Sequence, residues 1–294
     1  MSAISPLFVG LCDDAALFPP GNAPLEDAVP AHFAHEDGGH ADLVGPFVLP
    51  ADRVAELPAV LADGDRRTLR LSLTVPGGTD AVPAALGRLG AIDGVCLVSL
   101  EIAVPIDQSV PDLVAALREI DSAAPGVDIY IEVPRGGRRA EILAGLSGTD
   151  HRAKFRTGGV VADAYPDEAE LAAAIETVVS LGVPFKATAG LHHAVRNTDP
   201  DTGFEQHGFL NLMVATHQAG AGAGVEDLAA VLADRDGRRL AAALRALPAD
   251  AVAALRARFR SYGTCSIADP LADLTALGLV SATDSAAARE GTRA

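Results

Sequence analysis

The sequence predicts an α/β protein built as a (β/α)8 (TIM) barrel. Short apolar runs alternate with Ala/Leu-rich amphipathic runs along nearly the whole chain, the pattern of βαβ units on a parallel sheet. Eight such pairs fit in about 280 residues, the size of such a barrel. An open doubly wound sheet would announce itself by a phosphate-binding glycine loop. No GxGxxG follows the first strand, and no GxxxxGK[ST] occurs in the chain.

The elements follow in order. Strands are expected at PLFVGL (6–11), ADLVGPFVL (41–49), TLRLSLTV (68–75), GVCLVSLEIAV (94–104), VDIYIEV (127–133), AKFRTGGV (153–160), VPFKATAGL (183–191) and RFRSYGTCS (258–266). Helices are expected at 24–36 despite Pro30, then at 51–64, 79–90, 110–124, 138–148, 166–182 and 269–279. Asp167 and Glu168 open the sixth helical run behind Pro166, and Gly182 closes it. The spacing breaks once, where about 65 residues separate the seventh and eighth strands. The reading is one barrel over 1–280, with 194–257 as an insertion, and a fraying tail over 281–294. The insertion reads either as a lid over the site or as extra packing helices.

Composition narrows the function. The 294 residues carry a formal charge of −16, unsuited to nucleic acid or an anionic membrane surface. Cys12, Cys96 and Cys265 are widely spaced with no CxxC, which suits reduced thiols in a cytoplasmic protein. No signal-peptide pattern opens the sequence, and no apolar run approaches membrane length. Abundant Ala and the use of Arg for Lys suggest a high-GC bacterial genome. Association into a homo-oligomer is left open.

Only Lys154 and Lys186 break the arginine habit, against 21 arginines. Strand side chains alternate, so Lys154, Arg156 and Gly158 share one face, and Lys186, Thr188, Gly190 and His192 another. With Phe155 and Phe185 turned outward, both lysines enter the barrel on neighbouring strands. Two ammonium groups in a dry interior would lower one another's pKa, the condition for a nucleophilic amine. Arginine cannot supply that chemistry, because its guanidinium stays protonated.

AKFRTGG, FKATAGL and FRSYGTCS resemble the sixth, seventh and eighth strands of class I aldolases of the deoxyribose-phosphate aldolase type. The resemblance spans about 68–193 and 256–267 and rests on short motifs. It implies that Lys154 is the Schiff-base lysine, that Lys186 lowers its pKa and relays protons, and that Gly190, Gly263 and Ser266 hold a substrate phosphate. The family's fourth-strand aspartate has no match here: Cys96 and Ser99 stand near its place, with Glu101 the strand's only acid. Arg156 replaces a small hydroxyl residue, and His192-His193 and the long insertion are foreign to the family.

Barrel sites gather at the C-terminal ends of strands. Asp13, Asp14, Glu101, Glu132, Arg156, His192, His193, Tyr262, Thr264 and Ser266 are expected there. The catalytic set is Lys154, Lys186 and Glu132, with Glu132 moving protons. Arg156, Thr188, Gly190, His192, His193, Gly263, Thr264 and Ser266 would bind a small substrate with an anionic group. No organic cofactor and no metal are implied by this reading, which is a lyase of aldolase type. Two alternatives stand beside it. One is an isomerase or hydrolase using the lysines as acid/base groups, with a divalent metal on Asp14, Glu101, Glu132, His192 and His207. The other is a non-catalytic ligand-binding barrel.

Overall fold

The computed structural model describes residues 4–61 and 67–281. The tail expectation therefore falls, from residue 282 onward, outside the described residues.

Eight parallel strands close into a barrel: β1 (Cys12–Asp14), β2 (Val44–Pro50), β3 (Leu69–Val75), β4 (Val95–Ala103), β5 (Asp128–Glu132), β6 (Arg152–Arg156), β7 (Phe185–Thr188) and β10 (Phe259–Thr264). Each strand pairs with its chain neighbour, and β10 lies between β7 and β1. Between the strands run α1 (Leu25–Glu36), α2 (Leu57–Leu61), α3 (Val82–Leu89), α4 (Val110–Ala123), α5 (Arg139–Leu146) and α6 (Glu168–Ser180), and α11 (Ala268–Ala276) follows β10.

The alternation of each strand sorts apolar from polar. Leu71 and Leu73, Leu100 and Ile102, Ile129 and Ile131, and Phe155 are buried among the surrounding helices. Phe155 and Phe185 pack with ring centroids 5.5 Å apart. The opposite face carries Ser72, Ser99, Glu101, Tyr130, Lys154 and Lys186, so the barrel interior is polar and charged. Both lysines therefore point inward, as the alternation requires.

The first strand departs from its expected place. Residues 6–10 form turns, with Gly10 at φ +58, and the strand is Cys12–Asp14. Leu7 and Phe8 are buried without joining the sheet, which is why an apolar run there misleads. One amphipathic run is expected at 51–64; Ala51–Glu56 is a 3-10 segment, Leu57–Leu61 is α-helical, and 62–64 lie outside the described residues.

The insertion holds a hairpin and four helices. A short hairpin, β8 (Asn197–Thr198) with β9 (Glu205–Gln206), stands over the barrel end. Four helices follow: α7 (Phe209–Gly220), α8 (Val225–Leu232), α9 (Gly237–Arg245) and α10 (Ala249–Arg258). Phe209–Thr216 of α7 are buried throughout, and Phe209 stacks on Tyr262 with centroids 4.9 Å apart.

Candidate functional site

Lys154 and Lys186 are register partners across β6 and β7. One buried carboxylate, Glu101 of β4, joins them. Its Oε2 lies 2.6 Å from Lys154 Nζ and its Oε1 2.5 Å from Lys186 Nζ. Ser72 donates to the same Oε1 at 2.7 Å, and Ser99 donates to Ser72 at 2.7 Å. Lys186 also pairs with Asp13, which accepts from Ser261 at 2.7 Å. Lys154 has a second partner, Glu132 Oε2, at 3.0 Å.

The two ammonium groups are thus interleaved with carboxylates rather than set bare against each other. This corrects the expectation of mutual pKa depression. Burial works against the charge on Lys186, but Asp13 and Glu101 more than offset it and raise its pKa above the ordinary lysine value. Burial likewise opposes ionisation of Glu101, and the two lysines outweigh it, holding the carboxyl below the usual range. Burial raises the Asp13 carboxyl, with Lys186 and Ser261 pulling it partly back. Lys186 sits 5.2 Å from the centroid of the Tyr130 ring, whose hydroxyl is pushed up to about 12 by burial.

Above this layer opens a cavity of about 470 Å³. Lys154 lines it; Lys186 does not. Of the other residues expected from the sequence, Glu101, Arg156, Thr188, Gly190, His192 and Gly263 line it. Glu132 touches it only through Lys154 and Arg156, the latter 4.0 Å away. Burial holds the His192 pKa below its ordinary value, and its Nδ1 is 3.4 Å from Cys265 Sγ.

Several expected residues lie elsewhere. His193 turns to Asp273 on α11, with Nδ1 3.1 Å away. Thr264 is buried and donates to the Ser266 carbonyl, while the Ser266 hydroxyl accepts from the Asp269 amide in the first turn of α11. Asp14 faces outward, where His32 of α1 meets it at 3.0 Å. Tyr262 is also outside the barrel, receiving the Cys12 thiol and stacking on Phe209. The residues offered as metal ligands are dispersed: His207 bonds the Pro166 carbonyl at 2.8 Å and meets Arg196 at 3.3 Å. Among the described residues, no three His, Cys, Asp or Glu side chains converge as a metal site.

Much of the cavity wall comes from the loops that follow the strands. The loop after β1 brings Phe18, Pro19 and Pro20. The loop after β6 brings Val160 and Tyr165, and the hairpin brings Asp199, Thr202, Phe204 and Gln206. Tyr165 is wedged over two glycines. A Cβ on Gly158 would stand 2.6 Å, and one on Gly190 2.7 Å, from its Cε1. Gly190 also has φ +72, and the preceding Ala189 has φ +63. The hairpin is anchored by buried Arg196, which reaches Glu168 at 2.6 Å and Glu205 at 3.3 Å.

No family model and no curated protein matches this chain. A solved structure that resembles it comes from Coccidioides immitis and is provisionally described as a fructose-1,6-biphosphate aldolase. Identity is 12%, 81% of each chain is covered, and the TM-score is 0.32. Likeness at that level carries no argument about chemistry, and the barrel assignment stands on the strand order. Among the described residues, no helix is long and apolar enough to cross a membrane.

Proposed function

We propose that the chain is an aldolase-like lyase that binds a small anionic carbonyl compound through a Schiff base on Lys154. One observation carries this reading: of the two barrel lysines, Lys154 alone lines the cavity, and Lys186 is sealed below it. Lys154 transfers a proton to Glu132, and the freed amine attacks the substrate carbonyl carbon. The carbinolamine oxygen takes a proton and leaves as water, giving the iminium. Glu132, its proton given up to the carbinolamine oxygen, takes the proton of the substrate's β-hydroxyl. That oxygen becomes the carbonyl of the departing aldehyde or ketone, and the iminium accepts the electron pair of the broken C–C bond as the enamine forms. Protonation of the enamine and hydrolysis return the lysine.

Glu132 suits the proton-transfer role, because its side chain keeps 26% exposure and contacts Lys154 directly. Lys186 has a role other than depression by like charge. It occupies one oxygen of Glu101, so that Glu101 restrains the Lys154 ammonium less than an unshared carboxylate would. Arg156, 49% exposed and loosely paired with Glu132, is the anion-binding group.

A second reading has its own support. Lys154 is paired with two carboxylates, which suits a charge that polarises a carbonyl in an isomerase or hydrolase. Borohydride reduction in the presence of oxo acids and aldehydes separates the two. A substrate-sized adduct on Lys154 belongs only to the Schiff-base enzyme.

A further inference from the structure

We propose, on the basis of the Schiff-base reading, that the substrate is an oxo acid with an apolar extension of several carbons or one ring. Its carbonyl meets Lys154, and its extension lies between Phe18–Pro20 and Val160.

The cavity is larger than a small carbonyl head requires. Its volume of about 470 Å³ lies within the range of about 300–1,000 Å³ that encloses drug-sized ligands. A three-carbon oxo acid would leave most of it to water.

The polar groups are also unevenly distributed. Glu101, Lys154 and Arg156 come from β4 and β6, and the hairpin after β7 adds Asp199, Thr202 and Gln206. The β1 side is apolar, built from Ala15, Phe18, Pro19 and Pro20, with Val48 from neighbouring β2. In the closed strand order β1 and β6 are three strands apart, nearly opposite in an eight-stranded barrel. The loop carrying Phe18–Pro20 therefore faces the loop carrying Val160 across the mouth.

Val160 is 74% exposed and its neighbour Val161 56%; among the described large apolar side chains only Ile106 and Val9 are also exposed. Val160 lines the cavity itself. An apolar side chain left open at a cavity mouth gains from a ligand that covers it. Each buried methylene should tighten binding roughly fourfold.

The test is calorimetric binding of straight-chain 2-oxo acids of three to seven carbons, and of phenylpyruvate, with borohydride trapping read in parallel. The expected result is affinity rising severalfold per added methylene and then levelling. The ratio between the longest and shortest acids should collapse in Val160→Asn and in Phe18→Ser. Val160 is exposed, so its variant tests binding without disturbing the core. Affinity that is flat or falls with chain length overturns the proposal. If pyruvate alone is trapped on Lys154, the Schiff base stands and the extension does not. Length-dependent binding with no adduct contradicts the Schiff base and leaves the apolar slot. A Val160→Asn variant that changes oligomeric mass but not the affinity ratio assigns the valines to contact between copies, and overturns the proposal.

Discussion

Lys154 and Lys186 occupy the same rung of the barrel, yet one opens to the cavity and the other is sealed, and both hold Glu101. Their difference lies in what each would leave behind. Removing Lys186 strips Asp13 of its ammonium and Glu101 of one of two cations in a fully buried place. Removing Lys154 leaves Glu101 still paired and Glu132 able to reach water.

Lys186→Met should therefore destabilise the fold by about 3–5 kcal/mol, and Lys154→Met by about 1–2 kcal/mol. Urea unfolding at pH 7 measures both. Equal losses would mean that the interleaved charges do not act as described.

Stability should fall at both ends of the pH range. Glu101 is depressed in the folded state, so its contribution is present above its ordinary pKa of 4.5 and is lost as pH drops through the folded value. Lys186 is raised, so its contribution is present below 10.5 and is lost as pH climbs through the folded value. The raised Asp13 opposes Glu101 in acid and softens that limb. Urea midpoints from pH 3 to 11 check this, and the alkaline limb should change in Lys186→Met.

Gly190→Ala should weaken ligand binding as well as the fold. Its Cβ meets Tyr165 at 2.7 Å and the Gly158 Cα at 3.1 Å, at φ +72. Gly222, at φ +90 with open space around it in the turn after α7, supplies the control. Both variants should lose about 1–2 kcal/mol from backbone strain. Oxo-acid trapping should fall only in Gly190→Ala, because only there is the cavity wall displaced.

Arg196→Met should release the hairpin without opening the barrel. Its partners Glu168 and Glu205 are partly exposed, so the loss is about 1–3 kcal/mol. Hydrogen exchange should quicken over residues 197–206 and hold steady in β4–β7.

The barrel was legible in the sequence because its apolar residues alternate, and that alternation turned out to mark the outer face of the strands. The inward lysines followed from Phe155 and Phe185 alone. The cluster that surrounds them did not. The sequence pattern puts Asp13 beyond a strand because Cys-Asp-Asp carries no apolar alternation, and two buried acids suit a strand only when Lys186 and His32 are there to meet them. The sequence shows Glu101 only as an acid at a strand end, and its partnership with both lysines depends on register across β4 to β7. Ser72 and Ser261 gave no local signal at all. The hairpin lies in the stretch expected as a lid, but which of its residues meet the cavity, and that Tyr165 joins them, has no local signal, since loops from different strands meet only after closure.

The most direct test is peptide mass analysis after borohydride reduction with a panel of aldehydes, ketones and oxo acids, on the native chain and on Lys154→Arg. The account predicts a substrate-sized adduct on Lys154, none on Lys186, and none in the variant. An adduct on Lys186, or no adduct with any carbonyl from folded protein, would contradict it.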